Sequence, residues 1–294
     1  MNKLKIYLII ITLSSNLGNS QNSENKNKIE SIDRYRVEYP YQSSISEKVY
    51  FTDNLNGKKR IVSVNEDIKE MVFENDTLSA NHICIAPNGN KMVFTGISKA
   101  DIYDLYEYDF TTKRLKQLTK TDEVEFHPKY ASDGMSIIYN KQLDTLDLYE
   151  IYKIDLNTLK RENISRDTTF SKTFASLNPK MSKMVYVQWH ENMNTEIYVS
   201  DADGKNPENI SNNALFDGWP CWSPDGKTIV FASDRNEKFK FQLYTYGLLS
   251  KEIKQITDDE FSYVQPVYSH DGQHIIAVRS FKRGFPNQLV KITL

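Results

Sequence analysis

One motif returns along this chain at a nearly fixed interval, and that periodicity limits the possible folds more than any other feature. Five segments align without gaps around a single turn: Pro87–Phe94 (PNGNKMVF), Ser132–Tyr139 (SDGMSIIY), Pro179–Tyr186 (PKMSKMVY), Pro224–Phe231 (PDGKTIVF) and His270–Ala277 (HDGQHIIA). The turn position falls at Gly89, Gly134, Met181, Gly226 and Gly272, giving spacings of 45, 47, 45 and 46 residues. So steady a period marks a repeat architecture.

Two further landmarks recur in each unit. The first is an aliphatic residue followed by Tyr, at Leu105-Tyr106, Ile151-Tyr152, Ile197-Tyr198 and Leu243-Tyr244; the second is a Leu-Thr or Ile-Ser step at Leu118-Thr119, Ile164-Ser165, Ile210-Ser211 and Ile256-Thr257. Four short strands per unit account for the pattern, the first two joined by an Asp-Gly hairpin whose residues tolerate positive φ. Met181 breaks the glycine rule, so its turn is expected to take another form.

A degenerate first copy spans Tyr39 to Asp76, with Val49-Tyr50-Phe51 standing where Met92-Val93-Phe94 stands later, which brings the count to six. The last copy ends at Leu294 after its third strand, and Ser31 to Glu38 is the expected strand that completes it and covers an otherwise open edge. The fold class predicted is all-β: a six-bladed β-propeller of four-stranded antiparallel blades, the last closed by an N-terminal strand. Solenoid coils are shorter than this period, which disfavours a β-solenoid. Phe94, Tyr139, Tyr186 and Phe231 are expected in the inter-blade core.

Composition narrows the partners. With 37 Lys and Arg against 39 Asp and Glu, the formal charge is -2, and no basic run offers a footprint for nucleic acid. Lys3 and Lys5, the apolar run Ile6 to Leu13, and small residues at Gly18 and Ser20 read as a secretory signal peptide over residues 1–20, cut before Gln21. That apolar run is too short to span a bilayer. Residues 21–30 form a polar, disordered lead and 31–294 the propeller, in a periplasmic or secreted monomer. Cys84 and Cys221, each five residues before its turn, should sit in opposed blades and stay unpaired.

The stretch Trp219-Pro220-Cys221-Trp222-Ser223-Pro224-Asp225-Gly226-Lys227-Thr228-Ile229-Val230-Phe231-Ala232-Ser233-Asp234-Arg235 resembles the repeat of TolB-type, WD40-like propellers, whose hallmark is Trp-Ser-Pro-Asp-Gly, an apolar strand and Ser-Asp-Arg. Asp201 to Ser211 is similar to the hairpin joining the family's third and fourth strands, and weaker copies extend the likeness over about residues 40–294. The resemblance implies a propeller without the α/β domain that precedes it in TolB, so what TolB does through that domain does not carry over. No Gly-x-Ser-x-Gly occurs, which argues against the serine peptidases related to this repeat family.

Chemistry-bearing residues share repeat positions. Seven residues before the turn stand His82, His127, Trp219 and Gln265; nine before it stand Glu125, Asp217 and Tyr263. Equal offset means equal height on the ring, so Glu125, His127, Asp217, Trp219, Tyr263 and Gln265 are expected to line the channel mouth as a binding surface. Glu125 and Asp217 stand two blades apart, too far for paired acid and base work, and no catalytic residue is assigned. Asp201-Ala202-Asp203-Gly204 reads as a hairpin turn rather than a calcium loop, and the sequons at Asn163 and Asn209 coincide with the Ile-Ser step. Two functions follow. One is an exported, envelope-associated scaffold that binds a protein or glycan and needs no cofactor. The alternative comes from resemblance to oligogalacturonate lyases: a metal-dependent polysaccharide lyase with His82, His127 and Gln265 holding a divalent ion.

Overall fold

The repeats close into a ring. The computed structural model describes residues 28–33, 37–55, 57–66, 68–143, 148–191, 194–280 and 287–294; the expected signal peptide lies outside them. Among the described residues, twenty-four strands form six four-stranded antiparallel sheets, and no helix is long and apolar enough to cross a membrane. The inner strands of blades 1 to 6 are Val37–Gln42, Leu78–Ile85, Glu125–Tyr130, Lys172–Leu177, Asp217–Trp222 and Ser262–Tyr268. In blades 1 to 5 the remaining three strands follow in chain order toward the rim. The second strands carry unbroken apolar runs whose successive residues face opposite gaps between blades, Ile229 and Phe231 on one side and Val230 and Ala232 on the other; Phe51, Phe94, Tyr139 and Phe231 are all fully buried and Tyr186 4% exposed.

Each sequence landmark has a physical cause. At the turn, the Gly134 N–H donates to the Ala131 carbonyl at 2.9 Å and that of Gly226 to Ser223 at 2.9 Å, with φ of 68° and 69°. A Cβ built on Gly226 would lie 3.2 Å from Pro179 Cδ of the preceding blade, and one on Gly272 3.5 Å from Pro224 Cδ, so the Pro-Asp-Gly signature is also a blade-to-blade contact. The Ser/Thr of the third landmark extends the sheet by a side chain: the hydroxyl oxygens of Thr119, Ser165, Ser211 and Thr257 accept from the backbone N–H groups of Leu105, Ile151, Ile197 and Leu243 at 2.9, 3.0, 2.9 and 2.9 Å. That fixed offset of fourteen residues is why the two landmarks recur together.

Two expectations are corrected. Met181 makes the same turn as the glycines: its N–H donates to the Asn178 carbonyl at 2.8 Å and its φ is 55°. The backbone pays for a left-handed Cβ because the flanking strands hold the turn in register. The strand completing blade 6 is Ile29–Asp33, not Ser31 to Glu38; it pairs antiparallel with Gln288–Thr293, Ile29 opposite Ile292. Ile29 packs onto the core between blades 5 and 6, whereas Val37 is fully buried and pairs with Asp53 inside blade 1. Hydrophobic placement thus sets the boundary.

Candidate functional site

Every inner strand carries a β-bulge at one place. The pairing slips between Glu38 and Tyr41, Asn81 and Cys84, Phe126 and Lys129, Thr173 and Ser176, Gly218 and Cys221, and Val264 and Val267. Within each slip one non-glycine residue adopts positive φ: Tyr39, His82, His127, Phe174, Trp219 and Gln265, at 50°, 51°, 53°, 55°, 54° and 55°. A bulge leaves a residue outside the ladder and re-aims its side chain. Proline follows at Pro40, Pro128, Pro220 and Pro266, where a missing N–H costs no ladder bond.

The six re-aimed side chains meet at a hub. Tyr39 and His82 have ring centroids 4.1 Å apart, His82 and His127 4.0 Å, His127 and Phe174 3.9 Å in a stacked pair, and Phe174 and Trp219 6.2 Å. Gln265 joins Tyr39 from the other side, its Oε1 accepting the Tyr39 N–H at 2.7 Å. His82, His127, Trp219 and Gln265 are therefore brought together. Tyr39 and Phe174 complete the ring; the offset of seven before Met181 and the Tyr39-Pro40 step were the signals for them.

The hub is dry on its histidine side. His82 is 9% and His127 6% exposed, and both pKa values are pushed well below the ordinary imidazole value, first by burial. His127 and the ammoniums of Lys59 and Lys129 add to this for His82, and Lys129 does so for His127. His82 Nδ1 lies 3.3 Å from the Thr95 hydroxyl, but among the described residues His82 Nε2 and His127 Nδ1 have no hydrogen-bond partner. Phe174, Trp219, Gln265 and Tyr39 are half-buried, and aromatic contacts continue from Trp219 to Phe216 at 5.1 Å and on to Trp189 at 6.2 Å, both also half-buried.

Glu125, Asp217 and Tyr263 do not join this ring. All three are fully buried between blades, not set on an exposed rim. Asp217 accepts from Arg235 Nη2 at 3.2 Å, and the Tyr263 hydroxyl donates to Asp259 at 2.7 Å. Among the described residues neither carboxylate oxygen of Glu125 meets a donor in good hydrogen-bond geometry; Arg161 stands 3.6 Å away, and burial pushes this carboxyl up against the opposing pull of the Thr119 hydroxyl and Arg161. A further set of acids went unnoticed in the sequence: Asp104, Glu150 and Glu196, each just before the aliphatic-Tyr landmark, accept from the hydroxyls of Thr119, Ser165 and Ser211. Cys84 and Cys221 are free thiols.

The family profile described as "TolB beta propeller domain" matches residues 103–293. The chain belongs to the TolB beta-propeller family. The putative TolB from Agrobacterium tumefaciens superposes with a TM-score of 0.69 at 15% identity, over 90% of this chain and 97% of that one. An oligogalacturonate lyase in complex with manganese superposes with a TM-score of 0.61 at 14% identity, over 90% of each chain. The Tol-Pal system protein TolB of Francisella tularensis subsp. mediasiatica is 23% identical over 202 residues, which cover 67% of this chain and 45% of that protein. The curated relatives are matched over 13% to 52% of their own lengths. At such identities the superpositions show a shared TolB-like fold.

Proposed function

We propose that this TolB-family propeller is an exported binding scaffold of the cell envelope, whose hub face engages a protein or glycan partner. The observation that carries this is the ring of six bulge residues, which gives the channel a floor of rings and one amide, continued by Phe216 and Trp189 into a half-buried aromatic surface. Aromatic side chains half in water supply large contact area at low cost in rotamer entropy and dominate binding hot spots. A TolB-like propeller fold supports such a role in general, and Trp219 is the anchor of choice because it joins the ring to that surface. Cross-linking pull-down from envelope extract with the wild type and Trp219→Ala tests it: a reproducible partner lost on truncation is expected, and one captured equally by both proteins overturns the assignment of the hub face.

The orphan nitrogens of His82 and His127 favour a second reading, a divalent metal at the hub. The fit is incomplete. The Gln265 amide oxygen is already engaged by Tyr39, and no group of three His, Cys, Asp or Glu side chains gathers among the described residues, whereas such ions take three or more protein donors. We derive no lyase step from these residues. Elemental analysis of the purified protein and of His127→Ala decides between the two functions: stoichiometric metal that disappears in the variant would favour the lyase.

A further inference from the structure

Apart from the hub, over blade 4, a cavity of about 430 Å3 is lined by Phe170, His190, Glu191, Asn194, Glu196 and Asn209. Its two charged lining residues, Glu191 and Glu196, are both acids. The carboxylate of Glu196, 4% exposed, accepts from the Ser211 hydroxyl at 2.5 Å and the Asn213 N–H at 2.7 Å. Asn194 Oδ1 is buried with no donor, while its Nδ2 is spent on the Asn213 carbonyl at 3.4 Å. Glu191 is exposed, and among the described residues neither it nor Glu196 has a Lys or Arg within ion-pair distance; Arg235, whose charge acts on Glu196, is held by Asp217. The rings of Phe170 and His190, 4.8 Å apart, form one wall.

Such a site discriminates by charge. A carboxylate or phosphate brings a like charge and a sugar hydroxyl none, whereas an ammonium or guanidinium brings the opposite charge together with donors for the carboxylate oxygens. The preceding blade shows the complement within the same fold. Glu150, the repeat equivalent of Glu196, holds the buried Lys172 ammonium at 3.3 Å, which also donates to the carbonyls of Asp167 at 2.6 Å and Phe170 at 2.9 Å. One blade on, Lys172 is replaced by Asp217, so Glu196 has no ammonium of its own.

We propose that this cavity binds an alkylguanidinium or alkylammonium group, with Glu191 and Glu196 as counter-charges and Phe170 and His190 as the ring wall that a cation favours. The group is either a basic side chain of a peptide or a free amine, which share this chemistry. The proposal stands apart from the hub function, since it involves none of the ring residues.

The test is an NMR titration of the whole protein at low salt and near-neutral pH, following the His190 ring. The probes are acetyl-glycyl-arginyl-glycinamide, the same peptide with citrulline, agmatine, and methyl glucoside. The arginine peptide or agmatine should shift His190 saturably, with citrulline, which keeps the shape and loses the charge, weaker by about tenfold or more. Tighter binding of the peptide assigns a protein segment as the source, and tighter binding of agmatine a free amine. Glu191→Gln and Glu196→Gln should each weaken binding by about tenfold, and Asp203→Asn on a distant hairpin should not. Gln242 occupies the place of Glu196 in blade 5, so the second variant is compatible with the fold; Glu191→Gln, on the surface, keeps the test decisive if it fails to fold. Equal binding of arginine and citrulline, binding of the glucoside alone, or no saturable shift with any probe would overturn the proposal.

Discussion

Acidification should weaken this protein through two side chains. His82 and His127 are neutral when buried at the hub, because the dry ring and the Lys59 and Lys129 ammoniums oppose a charge there. In the unfolded chain each imidazole titrates near its usual value of about 6.5. Both folded values are depressed, so on lowering the pH through that value the unfolded state takes up protons that the folded state refuses. Stability is therefore full above about pH 6.5 and falls below it. At about pH 5.5 each histidine contributes roughly 1 kcal/mol to unfolding, or up to about 3 kcal/mol for the pair. The comparison protein is His82→Gln/His127→Gln, since Gln265 occupies the same bulge at φ 55°. Urea unfolding followed by tryptophan fluorescence at about pH 7.5 and 5.5 should show the wild type losing up to about 3 kcal/mol more than the double variant. His190, His270 and His274 remain in both proteins and cancel. Parallel losses would mean that the imidazoles titrate normally, and the dry hub would be refuted.

Three other outcomes follow from the fold. Ser211→Ala removes the acceptor of the Ile197 N–H and should cost about 1–3 kcal/mol by calorimetry; an unchanged Tm would refute the hydroxyl's place in the sheet. Met181→Gly should stabilise by up to about 1 kcal/mol, because the turn already holds φ at 55°, and a loss of stability in denaturant melts would show that the Met181 side chain contributes packing that outweighs its strain. Gly204→Ala should cost at least about 2 kcal/mol, since φ is 84° and a Cβ there would collide with the Ile164 carbonyl oxygen; unfolding at the wild-type midpoint would contradict that contact.

The ring was legible because its geometry is written in offsets. A turn every 45 to 47 residues, with His82, His127, Trp219 and Gln265 at one distance from it, requires those residues to share a height once the blades close. Phe174 sat at the same offset but is apolar, and Tyr39 belongs to the copy without a turn glycine, so neither stood out as a site residue. The misplacement of Glu125, Asp217 and Tyr263 has a different cause. Residues two apart on a strand normally face the same side, which puts them beside the ring. The bulge between the two positions breaks that alternation, turning the ring residue into the channel and leaving its neighbour in the inter-blade gap. A bulge leaves little trace in one copy, yet the proline after Tyr39, His127, Trp219 and Gln265 repeats it four times.

That same gap complicates any acid profile of the intact protein, and it fixes how the histidine experiment must be built. Burial, partly offset by hydroxyl and cationic neighbours, pushes Glu125, Glu150 and Glu196 above the ordinary carboxylate value. A carboxyl whose folded pKa is raised binds its proton earlier in the folded state, so between that value and about 4.5 it adds stability as the pH falls. Three carboxyls therefore act against two imidazoles in adjoining pH ranges, and a flat profile for the wild type would not mean that the hub is wet. Substituting the carboxyls separates the signs. Glu125→Gln removes a buried acid and should leave the loss below pH 6.5 intact while steepening the fall above about pH 4.5, read by the same urea midpoints. If Glu125→Gln instead flattens the acid limb, Glu125 is ionised in the folded protein, and Arg161 at 3.6 Å rather than burial sets its charge.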